Sequence, residues 1–310
     1  MKKDLLNIYE LDQADFEMIF RRSGALKKMN KDGISYTPLA GKTLGMIFDK
    51  SSTRTRLSFE VGIYQLGGIG TFLSRRDIQL GRGETIPDTA RVMSRYLDAV
   101  MIRTFDQKWV EEFAAHATMP VINGLTDLLH PCQILSDIFT IIEEKGTYEG
   151  MKVAYVGDGN NIANSWINAA ARLPFTLNLA CPEGYDPDDT ILKRGMTKSP
   201  DGIRLLRSPV DAVTDADVIY TDVWASMGQE DEREERAAVF IDYQVNEQLL
   251  KHSKEDAIVM HCLPAHRGEE ITDDVVDGSH SVVVDQAENR LHVQKALMEI
   301  LIGGKYNNDE

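Results

Sequence analysis

The chain is predicted to be an α/β protein: two doubly wound parallel-sheet domains of similar size with the active site in the cleft between them. Three observations predict this. Short apolar runs alternate with segments of helical period from residue 43 onward. The length, 310 residues, is long for one core and comfortable for two. Clusters of Arg, His, Thr and Gln follow the apolar runs, at the carboxyl ends of the inferred strands, where open α/β sheets bind ligands.

From Asp12 to Met29, the residues Phe16, Ile19, Phe20 and Leu26 give a helical stripe. Strands follow at 43–48, 70–73, 99–103 and 121–123, separated by helices at 52–66, 87–97 and 107–117. A helix after His130-Pro131 runs to about residue 145 and crosses into a second half, with Lys145-Gly146-Thr147-Tyr148-Glu149-Gly150 as a turn-rich stop. Domains are therefore placed at 1–133 and 134–287. The second half offers strands at 152–156, 176–180, 218–221, 257–260 and 281–285. A last helix, about 288–302, carries Leu291, Ala296, Leu297, Ile300 and Leu301 and is expected to pack back on the first domain.

Composition limits the function. Lys and Arg number 34 against 49 Asp and Glu, a net charge of −15 that repels nucleic acid and anionic membrane over most of the surface. Any anion must be gripped locally. No signal-like segment opens the chain and no apolar run spans a bilayer, so a cytoplasmic protein is expected. Cys132, Cys181 and Cys262 are an odd number without C-x-x-C spacing, which indicates neither a disulfide framework nor a zinc knuckle.

The strongest local signal is Ser51-Ser52-Thr53-Arg54-Thr55-Arg56, between a strand and an amphipathic helix. Free backbone N–H groups at a helix start, hydroxyls and paired guanidinium donors make a phosphate seat. Three further clusters follow apolar runs: Met101-Ile102-Arg103-Thr104, His130-Pro131-Cys132-Gln133 and His261-Cys262-Leu263-Pro264. The stretch Val156-Gly157-Asp158-Gly159-Asn160-Asn161 offers a competing reading as a dinucleotide fingerprint. Asp158 would set a carboxylate beside a pyrophosphate, and no convincing ribose-binding acid closes the next strand, Glu183 being a weak candidate. The glycines are read instead as a tight strand-to-helix turn that presents Asn160 and Asn161. His261 and His266 lie five apart without an evident third ligand, and no metal is assigned.

Taken together, Ser52-Thr53-Arg54-Thr55-Arg56, His130-Pro131-Cys132-Gln133, Asp222-Val223-Trp224-Ala225-Ser226-Met227-Gly228 and His261-Cys262-Leu263-Pro264 resemble the aspartate/ornithine carbamoyltransferase family, on its ornithine-accepting side, over almost the full chain. The resemblance implies carbamoyl transfer from carbamoyl phosphate to the δ-amine of L-ornithine, giving L-citrulline and phosphate, in arginine biosynthesis. It implies no metal or organic cofactor, and a homotrimer or a multiple of trimers.

By resemblance, Ser52, Thr53, Arg54, Thr55, Gln79, Arg103 and Arg290 hold carbamoyl phosphate, with Gln79 reaching into a neighbouring subunit's site. Thr55, Arg103 and His130 are the expected donors to the carbamoyl oxygen, and Gln133 with the Leu263 carbonyl holds the carbamoyl amide. Asp222 and Ser226 take the α-ammonium of ornithine, while Asn161 and the backbone N–H of Met227 take its carboxylate. Cys262 lies against both substrates and, with Asp222, orients the δ-amine. Arg103, His130, Asp222 and Cys262 form the expected catalytic set, and the Leu263-Pro264 bond is expected to be cis. Putrescine is the competing acceptor, with the Ser226-Met227-Gly228 loop as discriminator. An aspartate-carbamoylating relative would want a lysine where Asp77-Ile78-Gln79-Leu80-Gly81 offers Gln79.

Overall fold

The apolar runs of the first half pair side by side as parallel strands. A computed structural model describes residues 3–74, 78, 83–225 and 232–304. Within it Thr43–Phe48 (β1), Ile69–Ser74 (β2), Ala99–Arg103 (β3) and Val121–Leu125 (β4) form one sheet in the order β2-β1-β3-β4. β1 and β3 are buried almost throughout, which is why they read as unbroken apolar runs; β2, at the sheet edge, is largely exposed. Gln13–Lys31 (α1), Thr53–Gln65 (α2), Ile86–Met93 (α3), Gln107–His116 (α4) and Pro131–Lys145 (α5) alternate with these strands. The helix starts are written in the sequence: Asp12 and Asp15 form a reciprocal capping box, and Ser52, Thr85 and Asp106 each accept a backbone N–H.

The second half repeats the plan. Lys152–Val156 (β5), Thr176–Ala180 (β6), Ile203–Leu206 (β7), Val218–Thr221 (β8) and Ile258–His261 (β9) form a parallel sheet in the order β7-β6-β5-β8-β9. Asn161–Ala170 (α6), Asp189–Lys198 (α7), Pro209–Val213 (α8), Arg233–Phe240 (α9), Glu247–Leu250 (α10) and Asp273–Val276 (α11) surround it, and Val283–Gly303 (α12) ends the described chain. Two expectations change. β7 escaped the sequence reading because it is a four-residue edge strand whose second position is an exposed arginine, Arg204. Of the strand expected at 281–285, only Ser281 bridges to Val259, and residues 283–285 are the start of α12: Gln286 N–H already closes a turn on Val282 O at 2.8 Å, and Val284 is 74% exposed. A run of three valines reads as a buried strand, but Val284 here finds no sheet to cover it.

The chain divides into two compact units, Met1–Phe139 with Glu288–Glu310, and Thr140–Ala287. Within the first unit, α12 packs on α1 and α2. Arg22 forks onto Glu299 at 2.6 and 2.9 Å, Lys27 donates to Asn289 at 2.8 Å, and at Gly62 a side chain would come within 2.8 Å of Met298. Among the described residues no helix is long and apolar enough to cross a membrane.

Each sheet has one place where successive connections leave in opposite directions. In the first it lies between β1 and β3, and in the second between β5 and β8. Such switch points open a space beyond the strand ends.

Candidate active site

In the first unit, Phe48 pairs with Arg103 at the ends of β1 and β3, so the segment 49–56 and the Arg103 side chain leave the sheet together. Ser52 is in extended conformation, and its hydroxyl accepts the Thr55 N–H at 3.1 Å as the cap of α2. Thr53, Arg54 and Thr55 form the first turn of that helix, where the dipole favours an anion. Buried Thr55 accepts from Arg290 Nη2 at 3.2 Å, and Arg290 Nη1 donates to Gln133 Oε1. Gln133 in turn donates to Asp137 Oδ1 at 2.8 Å, one helical turn on. With its amide oriented by its neighbours, Gln294 accepts from Arg290 Nε and Nη2 at 3.0 and 2.7 Å. Sequence reasoning missed Asp137 and Gln294, though each stands four residues from its partner on the same helix, the spacing at which side chains meet.

These groups make a local cationic field in an acidic protein. His130 is 5% exposed, and its pKa is held well below the usual imidazole value, first by burial and then by the guanidinium charges of Arg290, Arg103 and Arg54. It is therefore a neutral imidazole at pH 7, able to donate from one ring nitrogen. The neighbouring Cys132 is structural: burial pushes its thiol up to about 12, and Sγ sits 3.4 Å from Asn123 O.

In the second unit, Val156 pairs with Thr221 and Thr221 with His261, so the loops after β5, β8 and β9 start level with one another. This register brings Asp222 and Cys262 together, with Cys262 Sγ 3.0 Å from Asp222 Oδ1. Asn160, read from sequence only as a residue presented by the turn, does two tasks. Its Oδ1 accepts the Ile162 and Ala163 N–H groups at 2.9 and 3.3 Å, and its Nδ2 donates to Asp222 Oδ2 at 2.8 Å. Asn161 follows as the first residue of α6, half-buried. Leu263 has φ +57°, and its bond to Pro264 is cis. A left-handed backbone costs a non-glycine residue about 1–2 kcal/mol, and here the Leu263 N–H is anchored on His261 Nδ1 at 2.8 Å. Gln79, Ser226 and Met227 lie outside the described residues.

The turn after β5 fits its tight-turn reading. Gly157 has φ +139°, and a Cβ at Gly159 would lie 2.2 Å from Pro187 N and 2.3 Å from the Asp186 carbonyl carbon. The space a pyrophosphate would approach is filled by the chain's own backbone. Asp158 is also buried there, 3.3 Å from Arg236; burial outweighs that cation and, with the nearby Asp222 charge, lifts its carboxyl to about 6.

Two groups among the described residues have the donor types of a metal site. In Asp222–His261–Cys262, both ring nitrogens of His261 are already engaged, Nδ1 by the Leu263 N–H and Nε2 by Glu270 Oε1 at 3.1 Å. In His266–Glu269–Glu270, Glu269 is held by the guanidinium of Arg233. In each group at least one donor residue is already engaged within the chain.

An anion seat at one switch point and an acid–thiol pair at the other, each on a parallel α/β unit, match the two halves of one known family. Residues 3–143 match the description "Aspartate/ornithine carbamoyltransferase, carbamoyl-P binding domain", and residues 149–301 match "Aspartate/ornithine carbamoyltransferase, Asp/Orn binding domain". The chain belongs to the aspartate/ornithine carbamoyltransferase family. Among its relatives, the ornithine carbamoyltransferase of Syntrophus aciditrophicus is 70% identical over 302 residues, covering 97% of this chain and 100% of that protein. The solved ornithine carbamoyltransferase of Pyrococcus furiosus superposes with a TM-score of 0.94 at 54% identity, covering 97% of both chains. That of Burkholderia thailandensis gives a TM-score of 0.90 at 48% identity, covering 97% of this chain and 99% of its own.

Proposed function

We propose that the protein transfers the carbamoyl group of carbamoyl phosphate to the δ-amine of L-ornithine, forming L-citrulline and phosphate. The observation that carries this reading is the buried set Thr55, Gln133 and Arg290 joined by hydrogen bonds, with His130 in the field of Arg54, Arg103 and Arg290. That set suits a small dianion that also carries a planar amide. Ornithine rather than putrescine is the acceptor, as the names of the relatives at up to 70% identity support. Citrulline formation is the direction we assign, as in the Pyrococcus furiosus relative named "Ornithine carbamoyltransferase, anabolic".

The roles follow from charge. Helix-end amides with Ser52, Thr53, Arg54 and Thr55, together with Arg103 and Arg290, neutralise the phosphate oxygens. The neutral δ-amine attacks the carbamoyl carbon, its lone pair forming the C–N bond while charge moves onto the carbonyl oxygen. Thr55, Arg103 and His130 donate to that oxygen, an effect typically worth about 100- to 1000-fold per donor. As the carbonyl re-forms, the C–O bond to phosphate breaks, the attacking nitrogen gives up one proton to the departing phosphate oxygen, and hydrogen phosphate leaves into the guanidinium cluster. Gln133 Oε1 retains a second lone pair beside its bond to Arg290 and, with the Leu263 carbonyl, holds the carbamoyl NH2. Asp222, kept in orientation by Asn160, and Cys262 hold the amine so that its lone pair faces the carbon. Asn161, Ser226 and Met227 take the amino-acid end of ornithine, and Gln79 completes the phosphate shell.

We also propose a homotrimer. On α2, Leu57, Val61 and Tyr64 are exposed at helical spacing, and the edge strand β2 adds Ile69 and Phe72; Tyr64 is 77% and Ile69 67% exposed. A sheet edge that pairs with no further strand among the described residues, beside an apolar stripe, supports contact with a second copy. The catalytic reading is tested by a citrulline and carbamoyl-product assay with ornithine, putrescine, aspartate and acetylornithine as competing acceptors. Ornithine should be preferred by orders of magnitude; equal or better use of putrescine would overturn the assignment.

A further inference from the structure

Glu270 is fully buried, yet the proposed chemistry gives it no task. The segment carrying it is rigidly tied: Val245 N–H donates to Glu270 O at 2.8 Å, Gly268 N–H to Ile271 O at 2.9 Å, and Ile271 is in the core of the second unit. Its Oε1 accepts the His266 N–H at 2.6 Å and faces His261 Nε2 at 3.1 Å. The other ring nitrogen, His261 Nδ1, receives the Leu263 N–H at 2.8 Å. A nitrogen that accepts carries no proton, so the single proton of the neutral ring must sit on Nε2, the side facing Glu270. The opposite tautomer would turn an N–H toward the Leu263 N–H and leave a lone pair against a carboxylate. Gln286 Oε1 takes the His261 backbone N–H at 2.9 Å and so prevents the ring from escaping by a shift of its strand end.

We infer that Glu270 is a positioning residue: by holding the proton of His261 on Nε2, it keeps Nδ1 as the acceptor that pins the left-handed Leu263 and thereby sets Cys262 beside Asp222. The inference rests on the role given above to Cys262, Leu263 and Asp222. Neither Glu270 nor His261 touches substrate in this account. Their effect passes through one backbone N–H, and misplacement of a reacting group by about 1 Å can cost on the order of 100-fold in rate.

The test uses four substitutions in the full-length protein together with 15N NMR of histidine-labelled protein, the His261 signals being assigned by their loss in His261→Asn. His261→Asn keeps an acceptor at the place of Nδ1, whereas His261→Gln keeps only a donor toward Glu270. Glu270→Gln keeps an acceptor oxygen for His261 and His266, whereas Glu270→Leu removes it. We expect kcat to fall about 10- to 100-fold in His261→Gln and Glu270→Leu and less than about threefold in His261→Asn and Glu270→Gln. KM for carbamoyl phosphate, gripped by first-unit groups, should change less than about threefold in all four. The parent should show a protonated Nε2 and a bare Nδ1 at His261. A bare Nε2 in the parent, or kcat loss that follows thermal stability rather than the retained acceptor, would overturn the inference. The ring shifts read the tautomer without turnover, so a wrong assignment of the reaction would show as absent citrulline formation with the tautomer intact.

Discussion

Arg290 offers the most direct probe of the anion site, because it is 2% exposed and its guanidinium holds Gln133, Thr55 and Gln294 at once. Arg290→Gln removes the charge while leaving an amide of similar reach. A hydrogen bond from a charged group contributes about 1.5–3 kcal/mol, and each 1.4 kcal/mol is a factor of ten, so KM for carbamoyl phosphate should rise about 10- to 150-fold. KM for ornithine should hardly move. A second consequence follows from electrostatics, since Arg290 is the foremost of the three cations that depress the His130 pKa. The unfolded chain takes up a proton on this histidine below about pH 6.5 and the folded chain refuses it, so that share of stability is lost as pH falls below that value. Without Arg290, the folded-state pKa moves back toward the ordinary one, and the acid loss of stability becomes shallower. Steady-state kinetics with phosphate-release detection, thermal melts from pH 7 to 5 and the titration of the His130 ring signals measure all three. A folded variant with KM for carbamoyl phosphate within about twofold of the parent and an unmoved His130 titration would refute this reasoning.

Asn160→Ala should raise KM for ornithine about tenfold by releasing Asp222, with carbamoyl phosphate unaffected, and should lower stability by about 0.5–2 kcal/mol through the lost helix cap. Asn160→Ser restores a capping oxygen but not the amide, so it should recover melting temperature without recovering KM; recovery of both would remove the Asp222 contact from the account. Combined Leu57→Glu and Tyr64→Lys should convert a trimer to a 34.8 kDa monomer in light scattering, and a parent already monomeric would dispose of the proposed assembly.

The strands β1, β3, β5, β6 and β8 could be read to the residue because parallel strands covered on both faces leave continuous apolar runs. The anion seat was legible for a similar reason: a capping serine and adjacent arginines are local features that keep their meaning in any fold. The same local reading failed at β7, where an edge strand lacks the buried signature, and at 281–285, where valines mimic a strand inside a helix. Neither Asn160 as the partner of Asp222 nor Glu270 behind His261 had a signal of its own, since 62 positions separate the first pair and strand register alone makes them meet. Sequence thus fixed the kinds of groups available and which elements carry them, because those depend on short-range periodicity and caps. Only the tertiary structure decided which lone pair faces which proton, because that depends on register between strands distant in the chain and on burial, which makes a carboxylate, an imidazole or a guanidinium answer to its neighbours instead of to water.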